Sequence, residues 1–108
     1  MLIADGADPV VISNTIHDSD STGVLVRGAA TKGRLEQNVV WGNKEGGIGV
    51  YAGSDPILLG NTIREHARRG GQRSSGIGLY IAESARGRVA LGVGNVFTSN
   101  EGGDVVRA

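Results

Sequence analysis

Two histidines, one concentration of arginines and a scatter of aspartates are the residues of this chain that could do chemistry. His17 and His66 offer imidazoles suited to proton transfer or metal ligation. His17 follows Asn14 by three residues and His66 follows Asn61 by five, so the two need not stack, and exposed turn polarity accounts for both. Asp5, Asp8, Asp18, Asp20, Asp55 and Asp104 carry the oxygens calcium takes, but calcium wants about 6–8 of them converging at about 2.3–2.6 Å. These aspartates are scattered over turn sequences, and Asp8 and Asp55 each precede a proline as ordinary turn residues. No catalytic residue, metal site or cofactor is expected.

Arg64, Arg68, Arg69 and Arg73 place four guanidinium groups within ten residues. Their forked donors suit carboxylates and phosphates, which makes them the candidate ligand-binding residues, for an acidic peptide, a uronate sugar or a phosphate. Arg86 and Arg88 add to this patch if their turn lies on the same side. Gly70-Gly71 and Ser74-Ser75 support the plainer reading of a solvated loop. Trp41 and Tyr51 fall at nominally outward positions, where a ring could stack on a sugar. Gly92-Val93-Gly94 runs into Asn95 without the strand–helix context of a phosphate-binding loop.

What must position these groups is a repeat. Asn14, Asn38, Asn61 and Asn95 are each followed two residues later by Ile16, Val40, Ile63 and Phe97, at intervals of 24, 23 and 34 residues. A fixed period in this range is the signature of a solenoid. Asp8-Pro9-Val10-Val11-Ile12-Ser13-Asn14-Thr15-Ile16 superimposes on Asp55-Pro56-Ile57-Leu58-Leu59-Gly60-Asn61-Thr62-Ile63. A second type, Gly33-Arg34-Leu35-Glu36-Gln37-Asn38-Val39-Val40, lies between them and is echoed by Gly87-Arg88-Val89 leading to Asn95. Gly-led apolar stretches follow at Gly23-Val24-Leu25-Val26, Gly47-Ile48-Gly49-Val50 and Gly78-Leu79-Tyr80-Ile81.

Each repeat therefore holds three short β-segments with period-2 alternation, and none carries a helical stripe. The inward set is Val11, Ile16, Val24 and Val26; Leu35, Val40, Ile48 and Val50; Leu58, Ile63, Leu79 and Ile81; and Val89, Leu91, Val93 and Phe97. One such repeat cannot bury its apolar face alone. Coiling stacks each strand on its equivalent about 4.8 Å away. The expected fold is all-β, a single-stranded parallel β-helix of about four rungs and no caps, right-handed as parallel crossovers generally are, forming one segment over residues 1–108. Counting the Gly-led strand first, Asn14, Asn38, Asn61 and Asn95 form an internal ladder at the corner between the second and third strands. Asparagine tolerates the left-handed conformation such a corner needs.

Composition narrows the partners. With 11 basic and 11 acidic residues there is no global field toward nucleic acid or an anionic membrane. No apolar run reaches the roughly 18–20 residues of a membrane span, and the first residues lack the pattern of a signal peptide. The absence of cysteine excludes disulfides and thiolate sites, leaving the compartment open. Glycine, at 19 residues, falls short of the collagen third, and 39% hydrophobic residues in regular spacing argue against disorder.

The longest interval carries two insertions, one over residues 67–75 and one that lengthens residues 87–94. Solenoid insertions land in loops on one face, often the binding face. The chain starts inside a strand and stops in mid-rung, so a fragment of a longer β-helix is expected, with end-to-end self-association as the alternative.

The run Gly53-Ser54-Asp55-Pro56-Ile57-Leu58-Leu59-Gly60-Asn61-Thr62-Ile63 and the run Gly33-Arg34-Leu35-Glu36-Gln37-Asn38-Val39-Val40-Trp41-Gly42-Asn43-Lys44-Glu45-Gly46-Gly47 resemble the right-handed β-helix repeats of F-box only protein 11 and its relatives. Those repeats belong to the wider carbohydrate-binding and sugar-hydrolase, pectin-lyase-like β-helix group. The resemblance covers almost all of the chain except the arginine-rich insertion. It implies a non-catalytic module for recognising a protein, as in the substrate receptors of F-box type ubiquitin ligases, although no F-box segment is present. The alternative it leaves is a segment of a polysaccharide lyase or epimerase binding acidic polysaccharide.

Overall fold

The computed structural model describes residues 1–51, 53–67, 75–83 and 90–107. β1 (Leu2–Ile3) leads into a repeated triplet: β2 (Val10–Ile12), β3 (Thr15–His17) and β4 (Thr22–Val26), then β5 (Arg34–Glu36), β6 (Val39–Trp41) and β7 (Gly46–Val50). The pattern continues through β8 (Ile57–Leu59), β9 (Thr62–Arg64) and β10 (Ile77–Ile81) to β11 (Ala90–Leu91), β12 (Val96–Thr98) and β13 (Gly103–Arg107). Every pairing is parallel and joins a strand to its equivalent one turn away, giving three sheets. Sheet A stacks β1-β4-β7-β10-β13, sheet B stacks β2-β5-β8-β11, and sheet C stacks β3-β6-β9-β12. The described residues form a β-solenoid of about four turns with three strands per turn.

The strands are short because each must turn after a few residues, and β-branched side chains fill the pleated inner face. Val24, Val26, Leu35, Val40, Ile48, Val50, Leu58, Ile63, Leu79 and Ile81 are almost fully buried in one core, with Ile16 and Phe97 packed against it. Ile3 and Ile77 also lie buried, beyond the inward set expected from the repeat. Burying each such side chain contributes roughly 1.5–3 kcal/mol.

Two expectations change here. Val93, expected inward, is 87% exposed. Two residues lie between Leu58 and Asn61 but three between Leu91 and Asn95, so the extra residue is extruded at the corner and the alternation slips. Leu91 keeps its pairing with Leu58 but is 36% exposed. Val89 lies outside the described residues.

The left-handed residue at each corner is also not the asparagine. It is the residue before it: Ser13, Gln37, Gly60 and Gly94 have φ of 58°, 53°, 64° and 83°. A left-handed residue reverses the inward–outward sense at the corner, which aims the following side chain inside.

Candidate functional site

The asparagine ladder is present and directional. Asn38 Oδ1 accepts the Asn14 backbone N–H at 2.9 Å, and Asn61 Oδ1 accepts both the backbone N–H and Nδ2 of Asn38 at 3.0 and 3.1 Å. Asn95 Oδ1 does the same for Asn61 at 2.9 and 3.0 Å. The second Nδ2 proton of Asn38, Asn61 and Asn95 goes to the carbonyls of Val11, Leu35 and Leu58.

A second ladder stands at the next corner, and it explains His66. Asp18, Gly42, Glu65 and Ser99 are left-handed, and the residues that follow them are Ser19, Asn43, His66 and Asn100. His66 is fully buried rather than exposed on a turn. Its Nδ1 accepts the Asn43 backbone N–H at 3.2 Å, its Nε2 donates to the Val40 carbonyl at 3.2 Å, and its own N–H reaches Asn100 Oδ1 at 3.4 Å. Burial pushes its pKa below the usual histidine value, opposed by the backbone carbonyls of Asn43 and Val40, which lie 3.5 and 3.2 Å from the ring nitrogens. One accepted and one donated bond are what a neutral imidazole makes.

His17 is exposed on sheet C, hydrogen-bonded to Asp18 at 2.7 Å and stacked on Trp41 with ring centroids 5.0 Å apart and planes 9° apart. Arg64 lies over the other neighbour position, 5.4 Å from the Trp41 ring, and pairs with Glu65. His17, Trp41 and Arg64 are in register, so they form one column along the outside of sheet C. Trp41 is therefore engaged with its rung neighbours rather than offered as a sugar platform, and Arg64 is a sheet residue. Arg68, Arg69 and Arg73, together with Arg86 and Arg88, lie outside the described residues. Among the described residues no group of three or more histidine or acidic side chains could hold a metal ion.

One concave feature, marked by no side-chain motif, lies on the outer face of sheet A. β7 reads Gly46-Gly47-Ile48-Gly49-Val50, and Ile48 and Val50 are turned into the core. The outside of that strand consequently has no side chain of its own. Rung neighbours wall it: Thr22 and Leu25 in β4 on one side, Ile77 and Tyr80 in β10 on the other. Two rung spacings make the trough about 10 Å wide, and five strand residues make it about 16 Å long.

Tyr51 folds back over Gly49, where a Cβ would lie 2.7 Å from Tyr51 Cε2. Its ring meets that of Tyr80 at 5.6 Å with the planes tilted by 39°. Glu45 also lines the trough, its Oε2 accepting from Ser21 Oγ at 3.2 Å. Burial, then Tyr80, then the Glu45 carboxylate push the Tyr51 phenol above its ordinary pKa. The cleft encloses about 280 Å³, near the lower end of the range for ligand pockets.

This geometry meets one comparison with known proteins. A family model described as a right handed beta helix region matches residues 1–107. The chain belongs to the right-handed β-helix family. That match supplies the handedness of the coil and accounts for the three-sheet solenoid. No curated protein and no solved structure matches the chain. The right-handed β-helix is thus established as the scaffold on which the trough is carried.

Proposed function

We propose that this β-helix is a non-catalytic recognition module that holds an extended segment of a protein partner on the outer face of sheet A. The observation that carries the reading is the trough over β7, floored by glycine backbone and walled by Leu25, Tyr51 and Tyr80. Its backbone hydrogen bonds are already used within the sheet, so a bound segment is held through side-chain contacts rather than by strand addition. Tyrosine supplies amphipathic contact area at low entropic cost, which suits such a surface. Both imidazoles have structural or neighbour-stacking partners, which also favours binding over catalysis. The rung motif resembles the substrate-binding repeats of F-box type ubiquitin ligase receptors, and protein recognition is the role that resemblance implies.

The alternative reading is an acidic polysaccharide, favoured by the tyrosine pair beside a flat floor, since a sugar ring stacks on such rings. An array of extended peptides and a titration with polygalacturonate separate the two. Peptide binding that is lost in Gly49→Leu, which fills the trough from outside, supports the proposal. Tight, calcium-dependent polygalacturonate binding with no peptide binding overturns it.

A further inference from the structure

We infer that the trough is a cation-reading site, taking the ammonium or guanidinium head of a lysine or arginine side chain from the bound segment. The inference rests on the recognition reading above and adds the chemistry of what is recognised. Three observations converge on it. Glu45 is the charged residue among the described residues that line the cleft. Tyr51 and Tyr80 present two tilted aromatic rings beside it, and aromatic faces attract cations. Glycine at 49 lets the Tyr51 ring lie against the strand, where it meets the Tyr80 ring.

The local electrostatics agree with this assignment. The Glu45 carboxylate is close enough to Tyr51 to disfavour its phenolate, so negative potential already acts at the tyrosine hydroxyl. Arg27 belongs to an adjoining depression on the β4 side, which shares Glu45 and Tyr51. The cleft proper thus carries one formal charge among the described residues, and it is negative. A partly desolvated cation there gains from the carboxylate and both rings at once.

The test uses the full chain and three fluorescein-labelled octapeptides in which threonine alternates with lysine, serine or glutamate, read by fluorescence anisotropy. The lysine peptide is expected to bind about fivefold or more tightly than the serine peptide at low ionic strength, with the ratio narrowing as salt is raised. Glu45→Gln, verified as folded by melting, is expected to bring that ratio toward one while leaving serine-peptide binding within about twofold, whereas Tyr80→Ala, which removes a wall of the trough, is expected to lower the ratio and weaken binding of both peptides.

Equal binding of the lysine and serine peptides, or a lysine preference that survives Glu45→Gln, overturns the cation inference. Tighter binding of the glutamate peptide, which Arg68, Arg69 and Arg73 would favour, overturns it as well. In those cases serine-peptide binding that Gly49→Leu removes leaves the recognition reading standing. Binding of none of the three peptides overturns both.

Discussion

His66 takes the place of an asparagine directly above Asn43. Its Nδ1 accepts the Asn43 N–H at 3.2 Å, as Asn43 Oδ1 accepts the Ser19 N–H at 3.0 Å. Its Nε2 donates to the Val40 carbonyl at 3.2 Å, as the Nδ2 groups of Asn43 and Asn100 donate to Ile16 and Ile63 at 3.4 and 3.1 Å. A neutral imidazole has one acceptor and one donor, which is what this position uses. A protonated imidazole has none to accept with.

The first prediction is a pH dependence with a defined sign. The folded-state pKa of His66 lies below its unfolded value near 6.5, because burial disfavours the charged ring. The stability it contributes is complete above the unfolded pKa. It is lost as pH falls below about 6.5 toward the folded pKa, where the unfolded chain binds the extra proton, at up to about 1.4 kcal/mol per pH unit. His66→Asn should retain stability at pH 8 and flatten this part of the curve in urea melts. An unchanged acid slope in the variant refutes the assignment.

The second prediction concerns Asn61, whose amide makes bonds to both neighbouring rungs. Asn61→Ala leaves the Asn38 N–H without its acceptor and takes one bond from the Leu35 carbonyl, at about 1–3 kcal/mol for the buried donor left unpaired. Asn14→Ala should cost much less, because Asn14 is exposed and its Nδ2 reaches only the Ile12 carbonyl, two residues away. Urea midpoints that fall equally in the two variants contradict the ladder's energetic role.

Much of this architecture is legible in the sequence, and what is not has a physical reason. The first ladder stands out because the same residue type recurs four times. The second ladder has the same 24, 23 and 34 spacing, from Ser19 to Asn43, His66 and Asn100, each five residues after its Asn14-series partner. Three residue types share that column, so identity hides what spacing reveals. His66 reads as turn polarity until its offset is matched to those of Asn43 and Asn100. Val93 misleads because alternation is a property of paired strands, and one added residue at a corner resets it. The trough is hidden for a different reason: a glycine-rich strand carries no side chain to mark the face it leaves open. The ligand chemistry of Arg68, Arg69 and Arg73 follows from residue type alone, and these three lie outside the described residues.

The third prediction follows from the glycines opposite the second ladder. Gly23, Gly47 and Gly78 are the second residues of β4, β7 and β10, and Cβ atoms there would press on the amides or ring of Asn43, His66 and Asn100. At Gly47 the new atom would sit 2.4 Å from the Gly78 carbonyl oxygen, 2.7 Å from Ile63 Cγ2 and 3.0 Å from His66 Nε2. Backbone cannot yield as a side chain can, so Gly47→Ala should cost about 3 kcal/mol or more. Gly49→Ala meets the Tyr51 ring on the outside and should cost under about 1 kcal/mol. Equal melting temperatures for the two variants would contradict the packing.

The last prediction separates two adjacent residues of one strand. Val39 and Val40 are neighbours in β6, yet Val40 is fully buried in the Ile16–Val40–Ile63–Phe97 column while Val39 lies on the outer face and is half-buried. Val40→Asp places a carboxylate among aliphatic groups, with no described cation in that column to pair with it. The charge must either stay buried without a partner or drag the rung open, and the cost is about 4 kcal/mol or more. Because each rung is held by its neighbours, the loss should extend to the rungs on both sides. Amide exchange is then expected to quicken in β3 and β9 together with β6. Val39→Asp keeps its carboxylate in reach of water and should lower stability by no more than about 1 kcal/mol, without spreading. If both variants melt alike, or if exchange quickens in β6 alone, the inward column does not bind successive rungs into one cooperative core.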